Sequence, residues 1–381
     1  MKIQQIVYQE PDWKPLNETP DFIASNAQLV LAFGERTCLE SLDIYNYLRD
    51  KYPHAEIVIN STSGEIYGDA VYDNSIIVTA IQFERSRVRT IQFTIDDHQE
   101  SGEVGHKIGQ ELAGEDLASL LIISDGGRVN GSALLSSLNT HIDSSIPISG
   151  GLAGDEARFE KTLVGLNQNP EPGQVVGIGL YGKDLKVGSG TNGGWDVFGP
   201  ERQVTESEYN TLYRINDKAA LDLYKEYLGR FAKDLPAAAL HFPLSMRTST
   251  DAEPVVRTIL SIDEDAKSMT FAGDIPTGAW VRFMKANFDR LIDASASAAL
   301  SAIETFDTPP ELAILVSCVG RKLALGVRTD EEVEAVREIV GSKTSITGFY
   351  SYGEISQLHP GVPSELHNQT MTITTFSENI S

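Results

Sequence analysis

Three short stretches of the sequence carry residue types that could bind or transform a small molecule. The first, Gly150-Gly151-Leu152-Ala153-Gly154-Asp155, sets flexible backbone with free N–H groups beside a fixed negative charge. The second, Ser317-Cys318-Val319-Gly320-Arg321, brings a thiol close to a guanidinium, whose planar fork suits a carboxylate. The third comprises Gly353-Glu354 and, further on, His367-Asn368-Gln369-Thr370. If these stretches converge, the arginine and the carboxylates suit a zwitterion such as an amino acid.

Each of these residues also has a purely structural interpretation. The glycine stretch by itself fits a tight strand–strand connection without a ligand. Arg321 with Glu354 fits an internal ion pair that fixes two loops, and Asp155 fits the cap of a turn. The side chains of His367 and Asn368 either line the pocket or satisfy the backbone of their own loop. For these two residues we favour the pocket.

Cys318 raises the question of catalysis. It follows a buried strand and could act as a nucleophile with His367 as its base, which would make the protein a thiol-dependent enzyme. A small buried hydrophobe is the commoner role of a free cysteine, and we favour it. We therefore predict no catalytic residues and no metal ligands, since no two cysteines or histidines have the spacing of a zinc site.

Size and charge exclude several classes of protein. The chain has 381 residues, enough for two domains, and a net charge of −23, which disfavours nucleic acids and anionic membrane surfaces. Its N-terminus is not a signal peptide, and no apolar run is long enough for a membrane helix. The only two cysteines, Cys38 and Cys318, fit a reducing compartment. We expect a cytoplasmic protein that binds neither nucleic acid nor membrane.

The elements that would position the three stretches occur three times along the chain. Each time a strand, a loop, a helix, a second strand, a glycine turn and closing strands follow one another, in residues 28–95, 101–190 and 313–376. This predicts an α/β fold with two domains, residues 1–231 and 232–381, whose mixed and largely antiparallel sheets are flanked by helices. The glycine turns are expected to meet near one end of the strands.

Neighbouring strands are expected to pair as hairpins. Residues 76–83 are predicted to pair with 88–95, and residues 159–166 with 174–181, the latter extended by 185–190. Within 174–181, Gly177-Ile178-Gly179-Leu180-Tyr181-Gly182 matches the dinucleotide-binding fingerprint. That fingerprint must open a helix, and this one lies in a strand pattern, so we reject it.

Taken together, the motifs resemble those of the FIST proteins, in the same order along the chain. The residues that carry the resemblance are Ser124-Asp125-Gly126, Gly150 to Asp155, Ser317 to Arg321, Gly348, Gly353-Glu354 and His367 to Thr370. The resemblance implies an N-terminal FIST domain to about Gly229 and a C-terminal FIST domain after it. It also implies a small-ligand sensor of intracellular signal transduction, with amino acids as proposed ligands. Its ligand-binding residues would be Gly150, Gly151, Gly154, Asp155, Cys318, Arg321, Gly353, Glu354, His367 and Asn368.

Many FIST proteins are fused to a receptor, kinase or cyclase output domain, and this chain departs from that pattern. We expect its signal to pass to a separate partner, such as a histidine kinase, a cyclase or a chemoreceptor.

Some FIST proteins bind haem and sense nitric oxide, which gives a second candidate function. A haem needs an axial ligand, most often histidine, and His241 has the apolar neighbours that a porphyrin requires. A histidine in such a stretch is more often a core residue, so haem ranks second.

Overall fold

Three related repeats form the body of the protein, and a small subdomain is inserted into the third. The computed structural model describes residues 1–96, 100–235 and 237–378. The first repeat contains β1 (Lys2–Gln9), β2 (Asp12–Glu18), β3 (Leu29–Gly34), α1 (Arg36–Ser41), α2 (Ile44–Lys51), β4 (Glu56–Ser61), β5 (Glu65–Tyr67), β6 (Ala70–Tyr72) and β7 (Ile76–Gln82). The second contains β8 (Arg87–Thr94), α3 (Ser101–Leu112), β9 (Leu117–Ser124), α4 (Gly131–Leu138), β10 (Ile148–Leu152), β11 (Val164–Leu166) and β12 (Gln174–Tyr181).

The third repeat begins with β13 (Leu185–Asn192) and is interrupted at once by the inserted subdomain. This subdomain contains β14 (Asp196–Glu208), β15 (Thr211–Ile215), β16 (Lys218–Ala219), α5 (Ala220–Leu228), β17 (Leu244–Arg247), β18 (Val255–Arg257), β19 (Ile259–Asp263), β20 (Ser268–Phe271) and β21 (Trp280–Lys285). The repeat resumes with α6 (Phe288–Ile303), β22 (Leu312–Cys318), α7 (Val319–Leu325), α8 (Thr329–Val340), β23 (Ser345–Ser351), β24 (Gly353–Ser356), β25 (Glu365–His367) and β26 (Met371–Glu378). Short 3₁₀ helices span Ala24–Asn26, Gly229–Asp234, Ala237–His241 and Gly326–Arg328.

Each repeat builds one mixed sheet, and each sheet is completed by a strand from another repeat. The strand orders are β11-β4-β3-β7-β1-β2, β25-β24-β10-β9-β12-β8 and β13-β26-β22-β23-β5-β6. The parallel pairs are β3 with β4, β9 with β10 and β22 with β23. Beside the second strand of each parallel pair lies a strand of a different repeat, namely β11, β24 and β5. The three repeats therefore close into a ring, which confirms the predicted α/β fold of mixed sheets built from repeated segments.

The strands are buried on both faces, and their alternating side chains enter two different cores. On β3, Leu31 and Phe33 point into a central core shared by the three sheets, whereas Val30 and Ala32 pack in an outer core with residues of α2. The same alternation recurs on β9, where Ile123 faces the centre and Ile122 faces the helices. Burial on both faces explains why these strands read as continuous apolar runs.

The helices cover the outer faces of the sheets. In α3, which matches its predicted bounds, Val104, Ile108 and Leu112 are buried on one face. The side chain of Asn130 caps α4 by accepting a hydrogen bond from the backbone N–H of Ala133 at 3.0 Å. None of the helices in the described ranges has the length and apolar character needed to cross a lipid bilayer.

The predicted hairpins are wrong. Strand β7 pairs with β1 and β3, whereas β8 pairs with β12 in the next sheet. Likewise β11 pairs with β4, β12 pairs with β8 and β9, and β13 pairs with β26. The physical reason is that β7 and β12 are buried along almost their whole length and show no alternation that identifies a partner, so nearness in sequence was the only guide. The glycine fingerprint does lie in strand β12 up to Tyr181, and its last residue, Gly182, directly follows the strand and opens no helix.

The predicted boundary between residues 231 and 232 falls between α5 and β17. The hydrophobic core of the inserted subdomain draws on both sides of it, since Tyr224 of α5 packs against Phe283 of β21 with ring centroids 5.8 Å apart. Strand β13 precedes the boundary and pairs with β26 after it. Pro236, in the predicted boundary segment, lies outside the described residues. The division into residues 1–231 and 232–381 stays a prediction.

The three glycine turns meet at one end of the ring and are bonded to one another. The backbone N–H of Ser63 donates to the Tyr350 carbonyl at 2.8 Å, and the N–H of Tyr350 donates to the Gly64 carbonyl at 2.8 Å. The N–H of Gly154 donates to the Ser61 carbonyl at 3.0 Å. These bonds satisfy backbone groups that strand ladders leave unpaired where the turns begin.

The glycines of these turns are required by close packing within the protein. A Cβ atom on Gly151 would lie 2.7 Å from Val316 Cγ1, and one on Gly353 would lie 2.9 Å from Leu366 Cδ1. A Cβ on Gly154 would lie 2.8 Å from the backbone nitrogen of Ser63. At Gly150 the φ angle is +126°, and a Cβ would overlap the Ile122 carbonyl oxygen. The group that approaches these four glycines is the neighbouring protein segment.

We expect Gly150→Ala to lower the free energy of unfolding by more than about 3 kcal/mol, because strained backbone and a backbone clash add at this position. Urea denaturation measures the effect. Gly127→Ala is the control, since a Cβ there meets only Asp125 Oδ1 at 3.6 Å. Equal stabilities of the two variants would contradict this account of the turns.

Candidate functional site

The carboxylate of Asp155 is buried and already neutralised by protein groups. Its Oδ1 accepts hydrogen bonds from Arg36 Nε at 2.9 Å and from Arg158 Nε at 2.8 Å. Its Oδ2 accepts one from the backbone N–H of Lys161 at 3.2 Å. With two guanidinium partners, Asp155 fixes the glycine turn to α1 and has little charge left to attract a ligand ammonium group.

Glu65 and Glu354 follow the other two glycine turns and are fully buried, without a cationic hydrogen-bond partner in the part of the chain that the structure describes. Burial raises the pKa of Glu65 to about 8, although the hydroxyls of Thr62 and Ser75 donate to it at 2.5 and 2.7 Å. Burial likewise raises the pKa of Glu354 to about 7. The hydrogen bonds that Glu354 accepts from the Ser351 hydroxyl and from the N–H and hydroxyl of Thr370 lower this pKa but do not outweigh burial. Lys322 near Glu65 and Arg321 near Glu354 act in the opposite direction but do not outweigh burial, so both carboxyls titrate near neutral pH.

Arg321 is fully buried and bonded entirely within the protein. Its Nη2 and Nε lie 2.7 and 3.0 Å from Glu332 Oε2, and Glu332 also accepts hydrogen bonds from Ser317 and Tyr350. Further bonds run from Arg321 to the carbonyls of Gly193 and Leu291. The proposed ion pair with Glu354 is therefore wrong, because the carboxylate on α8 takes the guanidinium. Arg321 joins α7, on which it lies, to α6 and α8, and it has no donor left over for a ligand.

Cys318 and His367 do not form a catalytic pair in the part of the chain that the structure describes. Cys318 ends β22 and is 2% exposed, and burial, with the nearby Glu354, holds its pKa well above the ordinary value. The His367 ring lies 3.1 Å from the Ser356 carbonyl oxygen, and burial lowers its pKa to about 4. Cys318 is a neutral thiol, and the neutral His367 ring is bonded to the Ser356 carbonyl, so His367 does not activate Cys318 as a nucleophile.

The turn that follows His367 leaves buried polar atoms without partners. Asn368 donates to the His367 carbonyl at 2.9 Å, but its Oδ1 has no hydrogen-bond partner among the described residues. Both side-chain polar atoms of Gln369 are likewise buried without a hydrogen-bond partner among the described residues. The backbone of Gln369 has a φ angle of +63°. The side-chain amide of Gln369 packs directly against Gly320.

A cleft between the ring and the inserted subdomain is lined by the second of the three stretches and by residues close to the other two, which do not line it themselves. We call it the apolar cleft. It has a volume of about 290 Å³ and is lined by Ala157, Phe159, Leu240, Thr258, Ile259, Leu260, Ala272, Cys318, Val319, Gly320, Leu323 and Tyr352. Ala157 and Phe159 follow Asp155, Cys318 to Gly320 open α7, and Tyr352 precedes Gly353. Of the predicted ligand-binding residues, only Cys318 reaches this cleft with its side chain.

A larger cleft of about 650 Å³ lies on another side of the inserted subdomain, and we call it the charged cleft. It is bounded by α4, by residues 246–257 and by residues 358–366. Its polar and charged lining residues are Ser132, Ser136, Asn139, Arg247, Thr248, Asp251, Glu253, Arg257, His359, Ser364 and Glu365. The hydroxyl oxygens of Ser132 and Ser364 are buried and lack hydrogen-bond partners among the described residues.

Arg257 is the unusual member of the charged cleft, since it is 6% exposed and pairs with no carboxylate in the described ranges. Its Nε donates to the Asp274 carbonyl at 3.2 Å, and its Nη1 donates to the carbonyls of Leu366 and Val256 at 3.1 and 3.3 Å. Its Nη2 has no acceptor among these residues. Burial lowers the Arg257 pKa to about 10, which leaves the group cationic at neutral pH. A buried cation with a free donor is a site for an anion.

His241 does not provide a haem site in either cleft. It lies on the 3₁₀ helix Ala237–His241, is half-buried and lines neither cavity, although its neighbour Leu240 borders the apolar cleft. The apolar cleft is also at the lower limit of the roughly 300–1,000 Å³ that ligand pockets enclose, small for a porphyrin. Within the described ranges no group of three or more histidine, cysteine or acidic side chains is placed to hold a metal ion.

Sequence reasoning missed Arg257, Thr258 and Tyr352. Arg257 occurs in an ordinary strand pattern, and nothing in Val255-Val256-Arg257 shows that the arginine is buried without a partner. Tyr352 directly precedes Gly353, one of the residues that carry the family resemblance, and this position was the one signal that could have identified it.

Residues 28–218 match the family model of the FIST N domain, and residues 220–357 match that of the FIST C domain. The resemblance seen in the sequence is thereby confirmed. No curated protein matches the chain.

Among solved structures, the chain is similar to a cyanuric acid hydrolase from A. caulinodans. The identity is 9%, the TM-score is 0.18, and the match covers 77% of this chain and 100% of that one. A TM-score this low supports no argument about fold or activity.

We expect Glu65→Gln to stabilise the protein progressively as the pH rises. The Glu65 carboxyl titrates at its ordinary value of 4.5 in the unfolded chain and at about 8 in the folded protein. Between these values unfolding releases a proton, so the wild type loses stability as the pH rises through this window. The gap between variant and wild type should grow by about 1.4 kcal/mol for every pKa unit that separates the two states.

Urea denaturation at pH 5 and pH 8.5 tests this expectation. Glu334→Gln, on the exposed face of α8, is the matched control and should show no growing gap. A stability difference for Glu65→Gln that is the same at both pH values would contradict the buried, protonated state of this carboxyl.

We expect Cys318 to resist iodoacetamide at pH 7.5 in the folded protein and to react after unfolding, because its thiol is buried and protonated. The measurement is mass spectrometry of a Cys38→Ser variant, in which Cys318 is the sole cysteine. Rapid labelling of the native variant would revive the thiol-enzyme hypothesis.

Proposed function

The chain belongs to the FIST family, whose domains are ligand-binding sensory domains of signalling, and we propose that it senses a small carboxylate-bearing metabolite, such as an amino acid. The ligand would bind in the charged cleft. The observation that carries this proposal is Arg257, a buried guanidinium with a free Nη2 and no carboxylate partner among the described residues. In the sequence we gave this role to Arg321, whose donors are all used within the protein.

The contrast between the two buried arginines supports this assignment. The desolvation cost of a buried charge is offset for Arg321 by Glu332, whereas Arg257 has only backbone carbonyls. The Glu365 and Asp274 carboxylates raise the Arg257 pKa without bonding to the guanidinium, so Nη2 is available to a ligand carboxylate. The partnerless hydroxyls of Ser132 and Ser364 offer further hydrogen bonds in the same cleft.

The rim of the charged cleft favours a zwitterion over a simple anion. Asp251, Glu253 and Glu365 are exposed lining residues, and the Glu365 carboxylate is close enough to affect the pKa of Arg257. These acids, on a chain of net charge −23, repel a polyanion and attract an ammonium group. An amino acid would place its carboxylate at the Arg257 guanidinium and its ammonium group at the acidic rim, so each of its charges would meet an opposite charge.

Binding in this cleft would also give a route for signalling. The cleft walls belong to the ring, through α4 and residues 358–366, and to the inserted subdomain, through residues 246–257. A ligand that bonds to both walls would hold them in one arrangement, which a separate partner could recognise. A histidine kinase, a cyclase or a chemoreceptor is the kind of partner we propose. The cytoplasm stays our proposed compartment, since both cysteines are free thiols.

We expect at least one amino acid to bind in isothermal titration calorimetry, and Arg257→Gln to abolish the heat. Arg257→Lys keeps the charge but loses the planar fork, and should weaken binding more than about tenfold, since hydrogen bonds to charged groups contribute roughly 1.5–3 kcal/mol. The twenty amino acids, assayed singly, are the probes.

Arg247→Gln is the matched control, because Arg247 lines the same cleft but its Nε and Nη2 already bind Glu201 at 2.7 and 2.5 Å. It should change affinity less than about threefold. Circular dichroism shows whether each variant is folded. No heat with any amino acid, or undiminished binding by folded Arg257→Gln, would refute the proposal.

A further inference from the structure

We propose that the apolar cleft is a second, separate binding site for a small neutral molecule of two fused aromatic rings with one hydrogen-bonding group. Among the described residues no charged side chain lines this cleft, and the one ionisable lining group besides Tyr352 is the protonated Cys318 thiol. A charged ligand would therefore lose its hydration without gaining a countercharge. The ligand class is thus neutral and largely apolar.

One buried polar atom in the cleft lacks a partner. Thr258 is 5% exposed and lines the cleft, and its Oγ1 has no hydrogen-bond partner among the described residues. Its backbone carbonyl is already used, since it accepts from the N–H of Ala272 at 2.9 Å. An unpaired buried hydroxyl carries a cost that a single donor or acceptor on a ligand removes. This requires one hydrogen-bonding group on the ligand.

The walls of the cleft suit a flat ring system. Phe159 and Tyr352 stack with centroids 4.6 Å apart and an angle of 20° between their planes. Phe159 stays 48% exposed and has a φ angle of +53°, a strained conformation for an aromatic residue. Its backbone N–H donates to the Tyr352 hydroxyl at 3.1 Å, which holds the pair in place. The half-exposed ring offers a face on which another ring can stack.

The volume sets the size of the ligand. A cavity of roughly 150 Å³ holds one benzene ring, so about 290 Å³ has room for two fused rings. The cleft is lined both by the ring of three repeats, for example through Val319, and by the inserted subdomain, for example through Ile259. Arg257 lines the charged cleft and Thr258 the apolar cleft, so adjacent residues of one chain segment separate the two sites. The two proposals rest on different residues and fail independently.

Indole and indene test the proposal, because they have the same shape and only indole has an N–H group. We expect both to bind, as measured by calorimetry or by ligand-observed NMR, and indole to bind about fivefold more tightly, from one net hydrogen bond. Thr258→Val removes the hydroxyl at nearly constant shape and should reduce indole affinity to that of indene. Arg257→Gln should leave indole binding unchanged, which separates this site from the charged cleft.

Two cleft-filling variants complete the test. Ala272→Leu fills the interior, and Leu323→Trp fills the partly exposed rim, so at least one of them should fold normally and lose both ligands. Failure of both compounds to bind at millimolar concentration would overturn the proposal. So would equal affinities of indole and indene for the wild type, or undiminished binding by the folded cleft-filling variants.

Discussion

The structure depends on an exchange of strands around the ring. Each second parallel strand has, on its outer side, a strand supplied by another repeat, so no repeat completes its own sheet. The backbone groups of β4, β10 and β23 are satisfied only when all three repeats are present. The glycine turns meet at the points of exchange, and their lack of side chains allows backbones to approach that closely. The central core and the turns are thus consequences of one topological arrangement.

Two buried ionic clusters are paired within the protein, whereas Arg257 is buried without a carboxylate partner among the described residues. Asp155 is held by two arginines, and Arg321 with Glu332 forms a fully buried pair with several supporting hydroxyls. These groups fix turns and helices. Arg257 is buried to a similar degree, yet finds only backbone carbonyls among the described residues. A buried cation without a bonded carboxylate has a cost in folding, and the proposed ligand site in the charged cleft rests on this observation.

The inserted subdomain creates both clefts. It packs beside the ring between β13 and α6, and each cleft has one wall from the ring and one from the subdomain. One cleft is charged and rimmed by acids, and the other is apolar with a single unsatisfied hydroxyl. If both proposed sites bind their ligands, each ligand would act on the same junction between the ring and the inserted subdomain.

The sequence by itself determined the local elements, the three-fold recurrence of strand, helix and glycine turn, and the family. Those properties are encoded by apolar periodicity and by short motifs, as in α3, whose ends match the prediction. Tertiary structure decided which strands pair, since β7 and β8 are adjacent in the chain but lie in different sheets. It also decided that Arg321 meets Glu332 and that Arg257 meets no carboxylate among the described residues. Both are arginines in apolar surroundings, and their chemistry depends on partners far away in the chain, which local sequence does not encode.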